Sequence, residues 1–389
     1  MSGNEIVLIA FPYRSKTIYG LVEDLERILT NIGPVITISG RGLAGRTSSK
    51  GKRILLSFDV AELKPRRKLI VHYAEWILLF VLIQLEMSIR LFQKRRSVKT
   101  ALFFLGTNYA LPILIAKIAG IKSILIPGGS PILSTSKSSR LHKIFSRCLD
   151  KIVVSLADIV GLEHEAEIET FARVHPDSRF KLCPLAARFI DTVTFRPLIP
   201  FAKRPVEIGF VGRLIPSKGF EEFLSTIPLL VNELPNVRLT IAGEGPLLEN
   251  ALGVAHLYST KANIRVLGWV MRDKLPELMS GMRLLITPSY SEGLPTVLLE
   301  AMACGTPCLC SPVGAIPGII QDGINGFILE NRNPDFIARK AKEIILNMVS
   351  DEISERARQT ILDKYSMEAA AQRYRILLHL CSAKSPSPS

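Results

Sequence analysis

No stretch of this chain approaches the ~20 consecutive apolar residues of a membrane-spanning helix. The nearest, Leu69–Phe92 (LIVHYAEWILLFVLIQLEMSIRLF), is broken by Glu75, Gln84, Glu86 and Arg90, and its longest apolar run is only Trp76–Ile83. Cysteine is sparse, six in 389 residues, which argues against a disulfide-stapled secreted scaffold. No signal peptide is seen ahead of the first apolar strand, so reduced thiols and a cytoplasmic location are expected. Low-complexity bias is missing as well: 48% hydrophobic against 22% charged residues describes a folded chain, not a disordered or fibrous one.

Acidic residues are short in one half only. Residues 1–200 carry 29 Lys/Arg against 16 Asp/Glu, a net of +13, whereas residues 201–389 carry 20 against 19, a net of +1. That asymmetry points to an anionic partner for the first half, such as lipid headgroups or a phosphorylated substrate. Nucleic acid is not expected, because basic residues are not interleaved with aromatics. Basic clusters, Arg66-Arg67-Lys68 and Lys94-Arg95-Arg96, flank the apolar segment Leu69–Phe92. This segment reads as a long helix packed on a sheet. It also suits a helix that lays its apolar side into a membrane surface with its basic ends on headgroups.

Three cysteines, Cys304, Cys308 and Cys310, are close enough in sequence to raise a metal site. Cys308 and Cys310 fall in an apolar run with the look of a buried strand, so small core residues are expected and no metal.

Apolar strand-like runs alternate with helical periodicity along the chain, the pattern of parallel-sheet α/β units. Strands are expected at Glu5–Ala10, Val35–Ser39, Ile54–Phe58, Ala101–Leu105, Lys122–Ile126 and Lys151–Ser155, with helices at Tyr19–Asn31, Leu69–Phe92, near Leu111–Ala119 and at Leu141–Leu149. Residues 192–206 hold three prolines and no periodicity, which reads as a linker. Beyond it the alternation restarts: strands at Glu207–Val211, Arg238–Ala242, Ile264–Leu267, Leu284–Pro288 and Pro307–Ser311, helices over Phe220–Leu234, Pro246–Tyr258, Arg272–Met279 and from Pro295. Two doubly wound units in tandem, 1–200 and 201–366, with a cleft between them, are therefore expected, and residues 383–389 read as a disordered tail. Ligands of such sheets bind beyond the carboxyl ends of strands. The segment Gly40–Gly45 (GRGLAG) fits G-x-G-x-x-G, but no amphipathic helix follows to aim a dipole at a pyrophosphate, so it is discounted.

Three later segments carry the chemistry. In Gly209–Phe220 (GFVGRLIPSKGF) a strand ends, Gly212 frees the backbone, and Arg213 and Lys218 sit at the entry to a helix, an anion site suited to a diphosphate. In Ile241–Pro246 (IAGEGP), Gly243, Glu244 and Gly245 end the next strand and allow close backbone approach to a ligand. In Ser291–Glu300 (SEGLPTVLLE), Glu292 lies just ahead of a helix opened by Pro295, and Glu300 lies further along it. Two carboxylates suit a polyhydroxylated ligand, with backbone amides of Gly293 to Thr296 between them.

Together, GFVGRLIPSKG, LTIAGEGP, IRVLGWV and LLITPSYSEGLPTVLLEAMACGTPCLCSPVGAIPGIIQDGINGFIL resemble the GT-B retaining glycosyltransferases of family 4, the group with E-x7-E. The resemblance covers the second unit throughout. KLCPLAARFIDTVTFRP is similar to the family's interdomain lead-in, and YSMEAAAQRYRILLHL to its helix that crosses back onto the first domain, here about residues 367–382. The resemblance implies a GT-B fold and transfer of a sugar from a nucleotide diphosphate sugar with retention of configuration. It implies that Arg213 and Lys218 grip the diphosphate and that Glu292 binds sugar hydroxyls. Gly293, Leu294 and Pro295 would cover sugar and phosphate, Glu300 would hold the ribose, and backbone around Leu267–Val270, including Gly268, would meet the base. In the first unit Gly20 takes the glycine position that approaches the donor phosphates. No D-x-D occurs, in keeping with GT-B enzymes that need no divalent metal.

The first unit departs from the family pattern. Only Gly20 stands where many relatives have Gly-Gly, and IPGGSPIL, with Gly128-Gly129, replaces a His-Gly. Gly128 and Gly129 are candidates for backbone donors, and Arg14 and Lys16 for contacts to a phosphorylated acceptor. The expectation is an enzyme on the cytoplasmic membrane face acting on a lipid-linked saccharide or glycolipid. The alternatives are the same fold with a soluble acceptor, and a non-catalytic nucleotide-sugar-binding scaffold.

Overall fold

The computed structural model describes residues 5–10, 16–39, 52–57, 69–127, 140–184, 189–234 and 236–382, with side chains described for all of these except 16–19, 69–76, 140–146, Ala166 and Ser382. Arg14, Gly128, Gly129, the GRGLAG loop, Arg66-Arg67-Lys68 and the 383–389 tail lie outside the described residues, as does the side chain of Lys16. The chain divides into two compact units, residues 1–188 with 370–389, and residues 189–369.

The first unit holds β1 (Glu5–Ala10), α1 (Lys16–Thr30), β2 (Val35–Ser39), β3 (Lys52–Leu55), α2 (Leu69–Gln93), β4 (Val98–Phe104), α3 (Ala110–Ile118), β5 (Lys122–Ile126), α4 (Arg140–Leu156), β6 (Ile159–Leu162), α5 (Glu165–Val174) and β7 (Leu182–Pro184). Its sheet runs β3-β2-β1-β4-β5-β6-β7 and every neighbouring pair is parallel. The order reverses between β1 and β4, the switch point of a Rossmann-like sheet. Continuous apolar runs make these strands because both sheet faces are covered: Val7, Leu8 and Ile9 are all fully buried.

One expected strand is corrected. Lys151–Ser155 belongs to α4, and the strand is Ile159–Leu162. The run KIVVS is rich in β-branched residues, but its burial follows a helical period: Asp150, Val153, Val154 and Ala157 are inside, while Lys151, Ile152 and Ser155 are out. An alternating strand would have buried every second residue.

The second unit holds β8 (Glu207–Val211), α6 (Phe220–Glu233), β9 (Arg238–Ala242), α7 (Leu248–Leu257), β10 (Asn263–Val266), α8 (Leu275–Gly281), β11 (Leu284–Thr287), α9 (Thr296–Ala303), β12 (Cys308–Cys310), α10 (Ile316–Ile319), β13 (Phe327–Ile328), α11 (Pro334–Glu343) and α12 (Asp351–Tyr365). The sheet order β10-β9-β8-β11-β12-β13 repeats the Rossmann-like pattern, again all parallel. One core packs α6 and α11 on one face, and a second packs α9 and α12 on the other. Leu309 belongs to the first core, and Cys308 and Cys310 to the second, as the alternation of a central strand requires. The final helix, α13 (Met367–Ser382), joins the first unit from residue 370 on.

The second unit begins at Phe189, upstream of the 200/201 division read from the prolines. The proline-rich stretch is bolted to the unit that follows it. Arg204 is 3% exposed and donates to the carbonyls of Ile199, Met282, Cys304 and Gly305 and to Thr306 Oγ1. Five acceptors for one guanidinium offset the cost of burying its charge.

Candidate functional site

Because the second sheet is parallel, β8 to β12 all present their carboxyl ends at one edge, and the loops leaving that edge are stitched together by backbone hydrogen bonds. Gly212 N donates to Ala242 O (2.9 Å), Leu214 N to Glu244 O (2.8 Å) and Gly243 N to Gly268 O (2.7 Å). Tyr290 N donates to Ser217 O (3.0 Å) and Ala315 N to Gly293 O (3.0 Å). The segments holding Arg213, Lys218, Glu244, Gly245, Gly268, Glu292 and Gly293 thus share one rim of the unit. Two glycines permit the stitching. A Cβ on Gly243 (φ +142°) would lie 1.8 Å from Gly212 O, and one on Gly314 (φ +59°) would lie 2.0 Å from Glu292 O. Neither backbone angle suits a side chain, and neither contact leaves room for one.

Glu292 is the best-held side chain of the rim. Lys218 Nζ lies 2.6 Å from its Oε2, and Ser289 Oγ donates to its Oε1 at 2.7 Å. The Lys218 side chain is 24% exposed and that of Glu292 11%. The loop after β8 and the loop after β11 therefore meet through a partly buried ion pair. Arg213, in contrast, is exposed, and among the described residues its guanidinium has no hydrogen bond or ion pair.

Glu300 lies within α9 and is buried at 4% exposure; its carboxylate is 3.4 Å from Arg272 Nη2. Its burial follows from the packing of α9 on every side: Leu298 to Ala303 are all buried with it. Leu294 is also a core residue at 4% exposure, so only its backbone can serve a ligand. Pro295 caps α9 from outside, and the first helical residue is Thr296. Gly20 stands inside α1 of the first unit, where an added Cβ would meet nothing within 4 Å.

Sequence reasoning missed two arginines. Arg332 Nε donates to Ser289 O and Ser311 Oγ, both at 3.1 Å, and its guanidinium lies over the Tyr290 ring at 4.6 Å. The Tyr290 hydroxyl in turn donates to Glu222, a bond that raises its pKa. Arg332 thus braces the loop that carries Glu292. Arg272 meets Glu300 and lies over Phe195. The one signal for Arg272 was its place two residues beyond the conspicuous IRVLGWV segment; nothing local marked Arg332.

Cys304, Cys308 and Cys310 are fully buried, and burial raises all three thiols, Cys304 and Cys310 to about 12. Cys308 Sγ donates to Thr306 O and Cys310 Sγ to Phe327 O. Among the described residues no group of three or more His, Cys, Asp or Glu is placed to hold a metal ion.

The chain matches the family model of glycosyl transferases group 1 over residues 194–361, a stretch that includes the whole rim. Over 183 residues, 47% of each chain, it is 31% identical to an uncharacterized glycosyltransferase of Methanocaldococcus jannaschii. It is 34% identical over 203 residues to the D-inositol 3-phosphate glycosyltransferase of Mycolicibacterium paratuberculosis, covering 48% of this chain and 42% of that protein. The chain spans about half the length of the curated relatives it matches. Among solved structures it is similar to Anabaena HepE in complex with UDP, with a TM-score of 0.69 and 14% identity over 97% of this chain and 100% of that one. The same protein has been solved with UDP-glucose. At that identity the likeness concerns fold, and the fold is GT-B: two Rossmann-like α/β units, as the sheet orders show.

Proposed function

We propose that this protein transfers a sugar from a nucleotide diphosphate sugar to a lipid-borne acceptor, with retention of configuration and without a divalent metal. The observation that carries the reading is the Lys218–Glu292 pair at 2.6 Å, standing on loops stitched to those of Arg213 and Gly243. Lys218 and Arg213 are the groups to neutralise charge gathering on the departing diphosphate, the role that a metal plays elsewhere. When a phosphate oxygen takes the Lys218 ammonium, the Glu292 carboxylate is released to accept hydroxyl hydrogen bonds from the transferred sugar. Gly293 and the backbone of Leu294 to Thr296 lie over sugar and phosphate, Glu300 accepts from the ribose, and Leu267–Val270 borders the base. The net +13 of residues 1–200 favours an anionic, membrane-borne acceptor such as a lipid-linked saccharide. Arg14, Lys16, Gly128 and Gly129 are the candidate acceptor contacts.

The likeness to a D-inositol 3-phosphate glycosyltransferase favours one second reading, a soluble phosphorylated acceptor. Incubation with UDP- and GDP-sugars, a membrane lipid extract and soluble sugar phosphates, with mass spectrometry of the products, separates the two. A glycosylated lipid formed with EDTA present is the expected result. A glycosylated sugar phosphate alone supports the soluble acceptor. Tight nucleotide-sugar binding with neither transfer nor hydrolysis makes the chain a scaffold.

A further inference from the structure

α2 is apolar on two faces. Ile83, Met87 and Leu91, each fully buried, bind it to the core of the first unit, together with Gln84 and Ser88. A second face carries Ile77, Leu78, Val81, Leu85, Ile89 and Phe92, exposed between 43% and 61%. Their spacing follows the i, i+4, i+7 pattern of one helical stripe, about 22 Å long by helical rise. An exposed stripe of six large apolar residues is normally covered, because a face left in water has no reason to keep them.

The chemistry around the stripe selects its occupant. Lys94, Arg95 and Arg96 follow directly at its carboxyl end, and the Arg95 guanidinium lies 4.1 Å from the centroid of the Phe92 ring. An aromatic and a cation are thus held at one depth, the arrangement of a side chain that reaches from an apolar layer to headgroups. Glu86, the acid among the described side chains of α2, is drawn aside: it accepts from Ser57 N and Oγ and pairs with Arg90 at 3.5 Å. α3, tied to α2 where Gln84 Oε1 accepts from Leu111 N, adds exposed Leu114 and Ile118 with Lys117 between them. No helix among the described residues is long and apolar enough to cross a membrane, so this stripe has a surface to lie on and not a bilayer to span.

We infer that α2 lies flat on an anionic lipid surface, its outer stripe in the acyl boundary and Lys94, Arg95 and Arg96 on the headgroups. This deepens the proposal of a lipid-borne acceptor and is separable from it. The test is co-sedimentation of the full chain with vesicles of phosphatidylcholine alone or with 30% phosphatidylglycerol, for wild type, L78Q/L85Q/I89Q and K94Q/R95Q/R96Q, with circular dichroism and thermal melting as fold controls. All these side chains except that of Lys94 point outward, so both variants are expected to melt like wild type. Wild type binds only the anionic vesicles. The basic triple variant loses on the order of 100-fold in partitioning, at ~1 kcal/mol per cation. The apolar triple variant loses binding at least as strongly. Absence of anionic-vesicle binding in wild type overturns the inference, as does binding unchanged in the folded apolar variant. A dimer in analytical ultracentrifugation that the apolar variant dissolves, with no vesicle binding, assigns the stripe to a second copy of the chain. Vesicle binding alongside transfer to a soluble acceptor alone keeps this inference and overturns the lipid-borne acceptor.

Discussion

Glu292→Gln separates a binding site for phosphate from a structural ion pair, because two measured quantities should move in opposite directions. Lys218 is paired with Glu292 at 2.6 Å, so an incoming diphosphate competes with that carboxylate. Glutamine keeps an oxygen for Ser289 Oγ, now 2.7 Å from Glu292 Oε1, and removes the competing charge. Both side chains retain some solvent contact, which limits the pair to about 1 kcal/mol. Release of Lys218 should then tighten nucleoside diphosphate binding about 5-fold. Turnover should fall, because sugar hydroxyls lose a charged acceptor worth about 1.5–3 kcal/mol, or 10- to 100-fold in rate. The melting temperature should change by no more than about 4 °C. Titration calorimetry with UDP and GDP, beside steady-state transfer kinetics, checks all three. Unchanged or weaker diphosphate binding in a variant that melts normally would refute the competition argument.

Gly314→Ala tests the glycine support behind Glu292. A Cβ there meets Glu292 O at 2.0 Å with φ +59°, so the Glu292 loop must move; kcat/KM should fall by at least tenfold, at a stability cost of about 1–3 kcal/mol seen in urea unfolding. The buried cysteines set an alkaline limit. Cys304 and Cys310 are raised from 9.0 to about 12 and Cys308 upward as well, so the unfolded chain loses these protons first. Their contribution is complete below pH 9 and is lost as pH rises from 9 towards 12, so unfolding midpoints should drop across that window. The drop should be smaller in Cys308→Ala/Cys310→Ala.

The two-unit α/β fold was legible because parallel strands covered on both faces read as short apolar runs, and helices between them as a 3.6-residue period. Glu5–Ala10, Val35–Ser39, Lys122–Ile126, Glu207–Val211 and Arg238–Ala242 stand in the structure with the bounds their residues suggested. Lys151–Ser155 failed because β-branched composition outweighed period, and a run of five residues is too short to separate the two.

The residue types of the rim were likewise present in the sequence: glycines at strand ends, cations at a helix entry, an acid before another helix. Their local arrangement followed from chain connectivity alone. Which groups meet did not. Lys218 and Glu292 are 74 residues apart, and Arg332 reaches Ser289 across 43. Both contacts depend on strand order: β8 and β11 become neighbours only where the sheet reverses, and Arg332, which follows β13, reaches the loops after β11 and β12 because these strands lie side by side. Burial of Glu300 against Arg272, and exposure of the outer stripe of α2, depend in the same way on what the rest of the chain packs against each helix. Sequence determined which segments form and what chemistry they carry; the sheet order decided which of those chemistries lie within a hydrogen bond of each other.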